Sequence, residues 1–470
     1  MGRLLISFIA FVAIALLLGM MAAEYSPKML ILATVGLAIF IGAFINSQLG
    51  LYILILSMLL SPEFIASPTA GKELGRGVTL RLDDFLLTII GLSWLAKSAI
   101  HKEMGLFLRT PLNRPIFFYL VVCLVSTGIG IMTGRADLKT GFFFVLKYFE
   151  YFLVYFMIVN HLETREQMHR FLFCMFLTCF IVSLYGISEI PGGGRVSAPF
   201  EGEIGEPNTF GGYLVFIGAV AAGLLDKTRD ARAKKALIVL LMVIFPPLLF
   251  TQSRSSYLAA VPAMLALGYM SEKRMVVLIL MLLGLALSPF FLPAQVKERI
   301  MYTFKQPQES GQLEVGGVKL DTSTSARLTS WGDALRDWTN HPILGYGVTG
   351  YSFIDAQFPR VLVETGILGF SAFIYLLVSV FKITWLNLKL LKASADRGLV
   401  IGFLAGYIGL LFHAIGANTF IIVRIMEPFW LLTGIIVILP KLQGAGAVTN
   451  EAKPVAKLHL PGIQRYKKFL

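Results

Sequence analysis

The hydrophobic and polar positions of this chain fall into long blocks, in which apolar runs of membrane-spanning length are separated by mostly short polar loops. Within each run the apolar residues are continuous and do not alternate with polar ones, which is typical of spanning α-helices and not of β-barrel strands. We therefore predict an all-α integral membrane protein, a polytopic bundle of about 14 (12–14) transmembrane helices. The predicted spans are about 1–21, 29–46, 49–61, 82–97, 115–132, 142–160, 171–190, 208–225, 236–252, 255–270, 275–292, 363–382, 398–416 and 424–440.

The basic residues of the short loops predict how these helices are oriented. With the N-terminus in the cytoplasm, the most densely basic loops all fall on the cytoplasmic side, as the positive-inside rule requires. The tail after residue 440 falls there too, and the long polar stretch 293–362 falls outside. The basic loops are residues 97–114, 165–170, 227–235, 273–274 and 382–397.

Composition supports this class and excludes others. Hydrophobic residues make up 56% of the 470, and charged residues only 15%, against about 25% in soluble domains. The net charge of +13 does not indicate nucleic-acid binding, because most of the cations lie in the loops between spans. The three cysteines lie in apolar segments and the six histidines are scattered, so we expect no metal site and no cofactor.

The longest weakly hydrophobic stretch, Ser323 to Gly369, is the strongest candidate for function, since long polar loops between spans often carry it. Its first half predicts an amphipathic helix that is capped at its start by Asp321, Ser323 or Thr324 and ends at His341-Pro342. Arg327 lies beside the apolar stripe and is expected to point inward, whereas Arg336 is expected to face water. The stripe is Leu328, Trp331, Leu335 and Trp338, and a turn rich in glycine follows at Gly345, Gly347 and Gly350.

Several cations break the charge rule, because the predicted topology puts them on the outer side, many at the mouth of a span. Arg254, within a run of hydroxyl residues, is either a snorkelling interface arginine or a phosphate ligand whose guanidinium binds oxygens bidentately. The outer-side arginines are Arg81, Arg195, Arg254, Arg327, Arg360 and Arg424.

Other charged residues lie inside predicted spans. Lys147 and Glu150 share one helical face in the sixth span, where they either neutralise each other or serve a function. Arg424 and Glu427 are spaced as partners one turn apart, and Asp83-Asp84 with Arg81 is suited to anchor a helix start. His413 is predicted to be a hydrogen-bonded core residue.

The ordered motifs of the long loop resemble the O-antigen ligase and polymerase (Wzy/WaaL) superfamily. Arg195, Pro199-Phe200 and Glu206-Pro207-Asn208 also resemble its pattern, as does the Ser-Arg pair at Arg254, and the likeness covers roughly residues 195–369. The loop motifs are Arg327-Trp331-Ala334-Leu335, His341-Pro342-Gly345-Gly347 and Glu364-Gly366-Gly369, together with the spacing of Arg336 and Gly347.

The resemblance implies a GT-C-like, metal-independent glycosyltransferase of the bacterial inner membrane that uses undecaprenyl-diphosphate-linked glycan as donor and acceptor. It implies that residues 1–292 carry helices 1–11, that 293–362 form a periplasmic catalytic loop, that 363–440 carry helices 12–14 and that 441–470 are a basic cytoplasmic tail. Asp355, Arg327 and Arg254 would be catalytic. The expected diphosphate- or glycan-binding residues are Arg195, Asn208, Arg336, Arg360, Glu364, Lys147 and Glu150.

One departure decides between members of the superfamily. Ligases resemble one another in a His-Asn pair nine residues before the glutamate of Glu-x-Gly, and this chain has Asp355-Ala356 there. An aspartate can accept a proton, and Arg360 is expected to hold its carboxylate ionised. We therefore favour a polymerase of surface or exopolysaccharide repeats, with a chain-length regulator as a possible partner, over an O-antigen or protein O-glycosylation ligase. A transporter is the alternative of a different class, but the inverted repeats and discontinuous helices of that class are not evident.

Overall fold

The computed structural model describes residues 27–65, 79–100, 109–201, 205–272, 274–275, 279, 283, 293–305, 312–315, 318–319 and 321–448. Two predicted spans, 1–21 and most of 275–292, lie outside the described residues, as does the tail from 449.

Fourteen α-helices and two short antiparallel strand pairs make up the described residues. The strand pairs are β1 (Glu63–Ile65) with β2 (Thr79–Arg81) and β3 (Glu314–Val315) with β4 (Val318–Lys319). The helices are α1 (Pro27–Ile45), α2 (Ser47–Leu60), α3 (Leu82–Ile100), α4 (Asn113–Met132), α5 (Leu138–His161), α6 (Arg165–Glu189), α7 (Pro207–Lys227), α8 (Ala231–Phe250), α9 (Arg254–Met270), α10 (Ala294–Lys305), α11 (Thr322–Trp338), α12 (Gln357–Leu390), α13 (Ser394–His413) and α14 (Val423–Val448).

Eight of these helices are long and apolar enough to cross a membrane, counted within the described residues: α4 to α8 and α12 to α14. Helix α2 has only 14 residues, shorter than a standard span as its sequence predicted. The protein is therefore an all-α polytopic membrane protein, and the predicted fold class is confirmed.

The helix bundle has two ends, which the order of the helices and the contacts between their loops distinguish. At one end the Arg165 side chain pairs with Asp396 at 2.9 Å, and Lys227 pairs with Glu272 at 2.7 Å. The described parts of the predicted cytoplasmic loops lie there, and we call it the basic end. The other end, called the loop end, is formed by the C-termini of α2, α4, α6, α8 and α13 and the N-termini of α3, α5, α7, α9, α12 and α14.

Small residues bring α7 and α13 into close contact. A Cβ atom at Gly223 would lie 2.4 Å from the backbone of Gly402, and one at Gly402 would lie 2.7 Å from Val220. Gly398 and Gly406 extend this stripe at four-residue spacing along α13, the arrangement that lets membrane helices approach by van der Waals packing. The contact fixes the N-terminus of α7 against the C-terminus of α13 at the loop end.

Two helix boundaries differ from the sequence prediction. Helix α12 begins at Gln357 and not at Val363, because its first polar side chains find partners inside the protein: the Gln357 side chain accepts a hydrogen bond from the Phe420 amide at 2.9 Å. Helix α11 ends at Trp338, before His341-Pro342. At Gly366, α12 has a non-helical backbone with φ +63°, which kinks the helix at a position that favours glycine.

Candidate functional site

The start of α11 is tied to the start of α9 by an ion pair. Ser253 caps α9 by accepting a hydrogen bond from the Ser256 amide, and this places Arg254 in the first turn at the loop end. The Arg254 Nη1 atom donates to the Asp321 carboxylate at 2.6 Å, and the Thr324 hydroxyl donates to the same carboxylate at 2.6 Å. Burial alone raises the pKa of Asp321, but these two hydrogen bonds outweigh it and hold the pKa below its usual value.

Arg254 keeps part of its hydrogen-bonding capacity. Its side chain is 20% exposed, and its Nε–H has no acceptor among the described residues. Its Nη1 atom also donates to the partly buried Thr324 hydroxyl at 3.4 Å. The guanidinium is therefore anchored on one side by Asp321, and its buried Nε–H is left without an acceptor among the described residues.

Two turns further along α11, Arg327 pairs with Asp355. The Arg327 Nη2 atom lies 2.7 Å from Asp355 Oδ2. The Asp355 backbone is fixed on its N-terminal side, because the Asn418 side chain donates to the Ile354 carbonyl at 2.8 Å. The Arg327 and Asp355 side chains are 23% and 34% exposed, so this ion pair is partly accessible from outside the protein.

The expected directions of the two α11 arginines are confirmed. Arg327 points toward the protein and pairs across to another segment, whereas Arg336 is 72% exposed and contacts only its neighbour Asp333 among the described acidic residues. The apolar stripe is less buried than its periodicity predicts. Leu328 and Leu335 are exposed, and the α11 residues packed most closely against the protein are Ser325 and Ala334.

Arg195 and Asn208 contact each other beside the ion pairs formed by Arg254 and Arg327. The Arg195 Nε atom donates to the Thr251 carbonyl at 3.0 Å, and its Nη2 atom donates to Asn208 Oδ1 at 3.2 Å. Thr251 is three residues before Arg254. The structure thus places three predicted site residues close together, Arg195, Asn208 and Arg254. Asp321 links Arg254 to α11, and Arg327 of α11 pairs with Asp355.

The predicted partner of Asp355 was wrong. Arg360 pairs with Glu364 at 3.0 Å, both side chains being about 5% exposed, and Arg327 is the cation at Asp355. Glu364 also accepts a hydrogen bond from the Thr349 amide at 3.1 Å. Because Thr349 has a positive φ of 64°, this contact stabilises a strained turn.

The glycines of the long loop make that turn possible. Gly345 and Gly347 have φ of +68° and +93°, and a Cβ at Gly345 would lie 2.5 Å from the Val363 carbonyl oxygen. The Tyr346 and Gly347 amides donate to the Val363 and Glu364 carbonyls at 3.0 and 2.8 Å. The Val363 and Glu364 carbonyls and the Glu364 side chain therefore hold the turn against α12.

Lys147 and Glu150 lie in a separate buried charge group. Lys147 pairs with Asp84 and lies 3.3 Å from Glu150, so the alternative in which the charges neutralise each other is the arrangement observed. Arg81 pairs with Asp83 and donates its amide to Asp84, so these residues anchor the start of α3 as predicted. The structure does not connect this group to Asp355.

The predicted pairing of Arg424 with Glu427 was also wrong. The buried Arg424 guanidinium instead donates to the carbonyls of Pro199, Phe200 and Ser61 and lies 3.4 Å from Glu201. One turn of helix brings their Cα atoms together, but the long arginine side chain reaches the α6–α7 segment. Among the described residues, neither carboxylate oxygen of Glu427 has a hydrogen-bond partner.

An apolar groove lies beside the Arg327–Asp355 pair. It has a volume of about 410 Å³ and runs between α11, the first half of α12 and the end of α13. The sequence predicted the stripe of α11 but gave no sign that part of it would line a groove. The groove is lined by Trp331, Leu335, Phe358, Pro359, Leu362, Phe370 and Ile415.

His413 does not belong to the predicted site residues. It was predicted to be a hydrogen-bonded core residue, and this is confirmed by contacts of its ring with Thr419 and Ser256. A single histidine in an apolar span carries no further signal, because its partners are distant in sequence. The structure places it beneath the residues that bind Arg195 and precede Arg254.

The fold and this site are those of a polytopic membrane protein. At one end of its helix bundle, Arg254 and Arg327 each form an ion pair with a carboxylate. A family model described as O-Antigen ligase matches residues 237–374, and this match supports assignment to the Wzy/WaaL superfamily that the motifs resemble. The matched range includes Arg254, Arg327, Asp355 and Glu364. No curated protein matches the chain.

The match over residues 237–374 indicates a class of activity. It implies a membrane enzyme of the glycosyltransferase kind, of the O-antigen ligase and polymerase type, with lipid-linked glycans as substrates. The membrane-spanning helices agree with such substrates, which are held in the bilayer.

Proposed function

We propose that this protein polymerises undecaprenyl-diphosphate-linked oligosaccharide repeats into a surface polysaccharide or exopolysaccharide. The observation that carries the proposal is the geometry at the loop end, where Arg254 and Arg327 are each anchored by a carboxylate and Asp355 is half-exposed beside Arg327. Arginines suit a diphosphate because the planar guanidinium binds its oxygens bidentately. A carboxylate beside them suits the deprotonation of an acceptor hydroxyl.

The transfer step forms one bond and breaks one at the anomeric carbon, and it moves one proton. The Asp355 carboxylate accepts the proton of a hydroxyl group on the terminal sugar of the acceptor, and that oxygen attacks the anomeric carbon of the donor glycan. The bond from the anomeric carbon to the diphosphate oxygen breaks, and its electron pair stays on the undecaprenyl diphosphate that leaves. Arg254 and Arg327, with Arg195 nearby, stabilise the negative charge that develops on this leaving group.

In the proposed reaction, arginine side chains stabilise the leaving group's charge, as divalent metal ions do in other transferases. Each arginine is held in place before the substrate arrives, which lowers the cost of organising the site. Binding of a diphosphate to Arg327 competes with Asp355 for the same guanidinium. Since the carboxylate is then released from its ion pair, substrate binding also makes the base available.

The apolar groove supports a lipid-linked substrate. Its lining is almost entirely hydrocarbon and aromatic, and Trp331 stands one turn of α11 beyond Arg327. A polyprenyl chain gains free energy by leaving water for such a surface, while its diphosphate stays at the arginines. The groove therefore suits the first isoprene units of the donor or the acceptor.

We propose that the loop end faces the periplasm and that both termini are cytoplasmic, in a bacterial inner membrane. The support is that the densely basic loops lie at the opposite end of the bundle, as the positive-inside rule expects for the cytoplasmic side. The arrangement is GT-C-like in having a long helical loop over a bundle of spans. A chain-length regulator is the protein partner that this reaction would take.

A ligase is the second candidate, and the description of the matching family model favours it. Asp355 stands against it, since the ligase pattern has histidine at that position. Purified protein, incubated with a lipid-linked repeat as its sole substrate, distinguishes the two. A polymerase yields a ladder of products on a gel, whereas a ligase yields no ladder and makes a single transfer when a non-glycan acceptor lipid is added.

A further inference from the structure

The imidazole of His413 joins three separate segments at the loop end. It is completely buried at the C-terminus of α13. Its Nδ1 atom lies 2.8 Å from the Thr419 hydroxyl, its Nε2 atom lies 3.4 Å from the Ser256 hydroxyl, and it contacts the backbone of Asn208. A Cβ at Gly212 would lie 2.9 Å from the ring, so glycine is needed there for this approach.

The direction of the hydrogen bonds can be deduced from the serines. The Ser256 hydroxyl donates to the Ser253 oxygen at 2.8 Å, so the Ser256 oxygen is an acceptor toward the ring. Nε2 of His413 therefore carries the hydrogen, and Nδ1 accepts a hydrogen bond from the Thr419 hydroxyl. This assignment gives a single neutral tautomer with one donor and one acceptor in use.

Each contact of the ring leads to a different part of the candidate site. Ser253, which accepts from Ser256, is the cap of α9 and precedes Arg254. Asn208, whose backbone the ring contacts, binds Arg195 through its side chain.

The third contact leads to the carboxylate. Thr419 lies between Asn418, which donates to the Ile354 carbonyl at 2.8 Å, and Phe420, whose amide donates to Gln357 at 2.9 Å. These two hydrogen bonds are made on either side of Asp355. One side chain thus connects the supports of Arg195 and Arg254 with the supports of the proposed base.

We infer that His413 is a positioning residue for the transfer reaction, which sets the distance between Asp355 and the arginines Arg195 and Arg254. The inference rests on the proposed function, because it assigns those residues to one reaction. Rates of such reactions depend steeply on placement, and an error of about 1 Å can cost about a hundredfold. His413 itself does not touch the reacting atoms.

The test compares His413→Phe with His413→Gln in purified full-length protein. Phenylalanine fills the space but makes no hydrogen bond, and we expect kcat to fall about a hundredfold. Glutamine offers one donor and one acceptor, and we expect it to recover at least about tenfold of that loss. The matched control is Thr384→Val, which removes one buried hydrogen bond of 2.8 Å in α12, far from the site, and should keep kcat.

A purely structural role would lower activity only in proportion to the folded fraction. Wild-type kcat per folded His413→Phe molecule, or no recovery in the glutamine variant, would overturn the inference. If His413→Phe does not fold, Thr419→Val and Ser256→Ala test the same connections, and normal kcat in both would overturn it as well.

Binding separates this inference from the proposed function. Undecaprenyl diphosphate should bind to His413→Phe at least about fivefold more weakly than to wild type, because Arg195 and Arg254 both shift. No ladder from the wild-type protein would refute the polymerase but would leave this binding comparison intact. Equal Kd values in wild type and His413→Phe would overturn the positioning role.

Discussion

Arg327 and Asp355, 28 residues apart in sequence, form an ion pair of 2.7 Å between α11 and the segment before α12. Both side chains remain partly exposed, so water and small polar groups can reach them. The carboxylate and an incoming diphosphate would compete for one guanidinium. This relationship makes Asp355 the residue whose substitution is most informative about the mechanism.

Asp355→Asn should abolish polymer formation if Asp355 accepts the proton of the acceptor hydroxyl, since an amide cannot take that proton. The variant should still fold, because asparagine keeps the shape of the side chain. The measurement is the extension of a lipid-linked repeat by purified protein. Asp137→Asn is the control at the same end, because Asp137 caps α5 and asparagine caps equally well.

A ladder of normal length from Asp355→Asn would refute the catalytic role and leave the carboxylate as a mere anchor for Arg327. In that case Asp355→Ala should damage activity more than Asp355→Asn does.

Arg254→Ala should lower polymerisation by about tenfold to a hundredfold or more, as a charge-assisted contact contributes about 1.5–3 kcal/mol. Arg254→Lys should restore little, because lysine lacks the planar fork that binds a diphosphate and Asp321 together. Arg135→Ala is the matched control, since Arg135 is a cation at the same end that lies over the Tyr346 ring. Initial rates at saturating substrate, corrected for membrane-inserted protein, provide the comparison.

Wild-type rates from Arg254→Ala would remove that arginine from the diphosphate site. Its pairing with Asp321 would then be a structural contact between α9 and α11.

Much of the fold was predictable, because the hydrophobicity of the residues and the periodicity of the apolar positions determine where the helices form. The continuous apolar runs predicted the spans α4 to α8 and α12 to α14, and the 3.6-residue period predicted α11. The inward direction of Arg327 followed from its place at the edge of the apolar stripe. Each of these depends on local sequence, so no tertiary information was needed.

Pairing across the bundle was harder to predict. Sequence proximity suggested Arg360 for Asp355 and Glu427 for Arg424, but Asp355 pairs with Arg327 of α11 and Arg424 lies beside Glu201. An arginine side chain can reach a neighbouring segment as well as the next turn of its own helix, so sequence spacing alone does not determine its partner. The role of His413 was invisible for the same reason, since Ser256 lies 157 residues away.

Glu364→Gln should destabilise the protein, because it leaves the buried Arg360 guanidinium without a counter-charge. Breaking a buried ion pair on one side costs about 3–5 kcal/mol. The strained turn at Thr349 would also lose part of its support. Thermal unfolding in detergent should show a clear drop in the midpoint, whereas Glu166→Gln in the exposed pair with Arg170 should leave it unchanged.

An unchanged midpoint in Glu364→Gln, together with lost activity, would instead indicate that Glu364 contacts the substrate.

A cysteine introduced at Gln312 should react with a membrane-impermeant maleimide in cells whose outer membrane alone has been permeabilised. The reason is that residue 312 lies in the loop before α11, at the end of the bundle opposite the basic loops. Arg229→Cys is the matched probe, because residue 229 is exposed between α7 and α8 at the basic end. It should react only after the inner membrane is broken.

The native cysteines need to be controlled in this experiment. Cys123 and Cys179 are buried and Cys174 is partly buried, so the unsubstituted protein, treated in parallel, gives the background. Labelling of Gln312→Cys only after inner-membrane lysis, with Arg229→Cys labelled in intact spheroplasts, would invert the topology. Asp355 and its arginines would then face the cytoplasm, where a polymerase acting on exported repeats would not find its substrate.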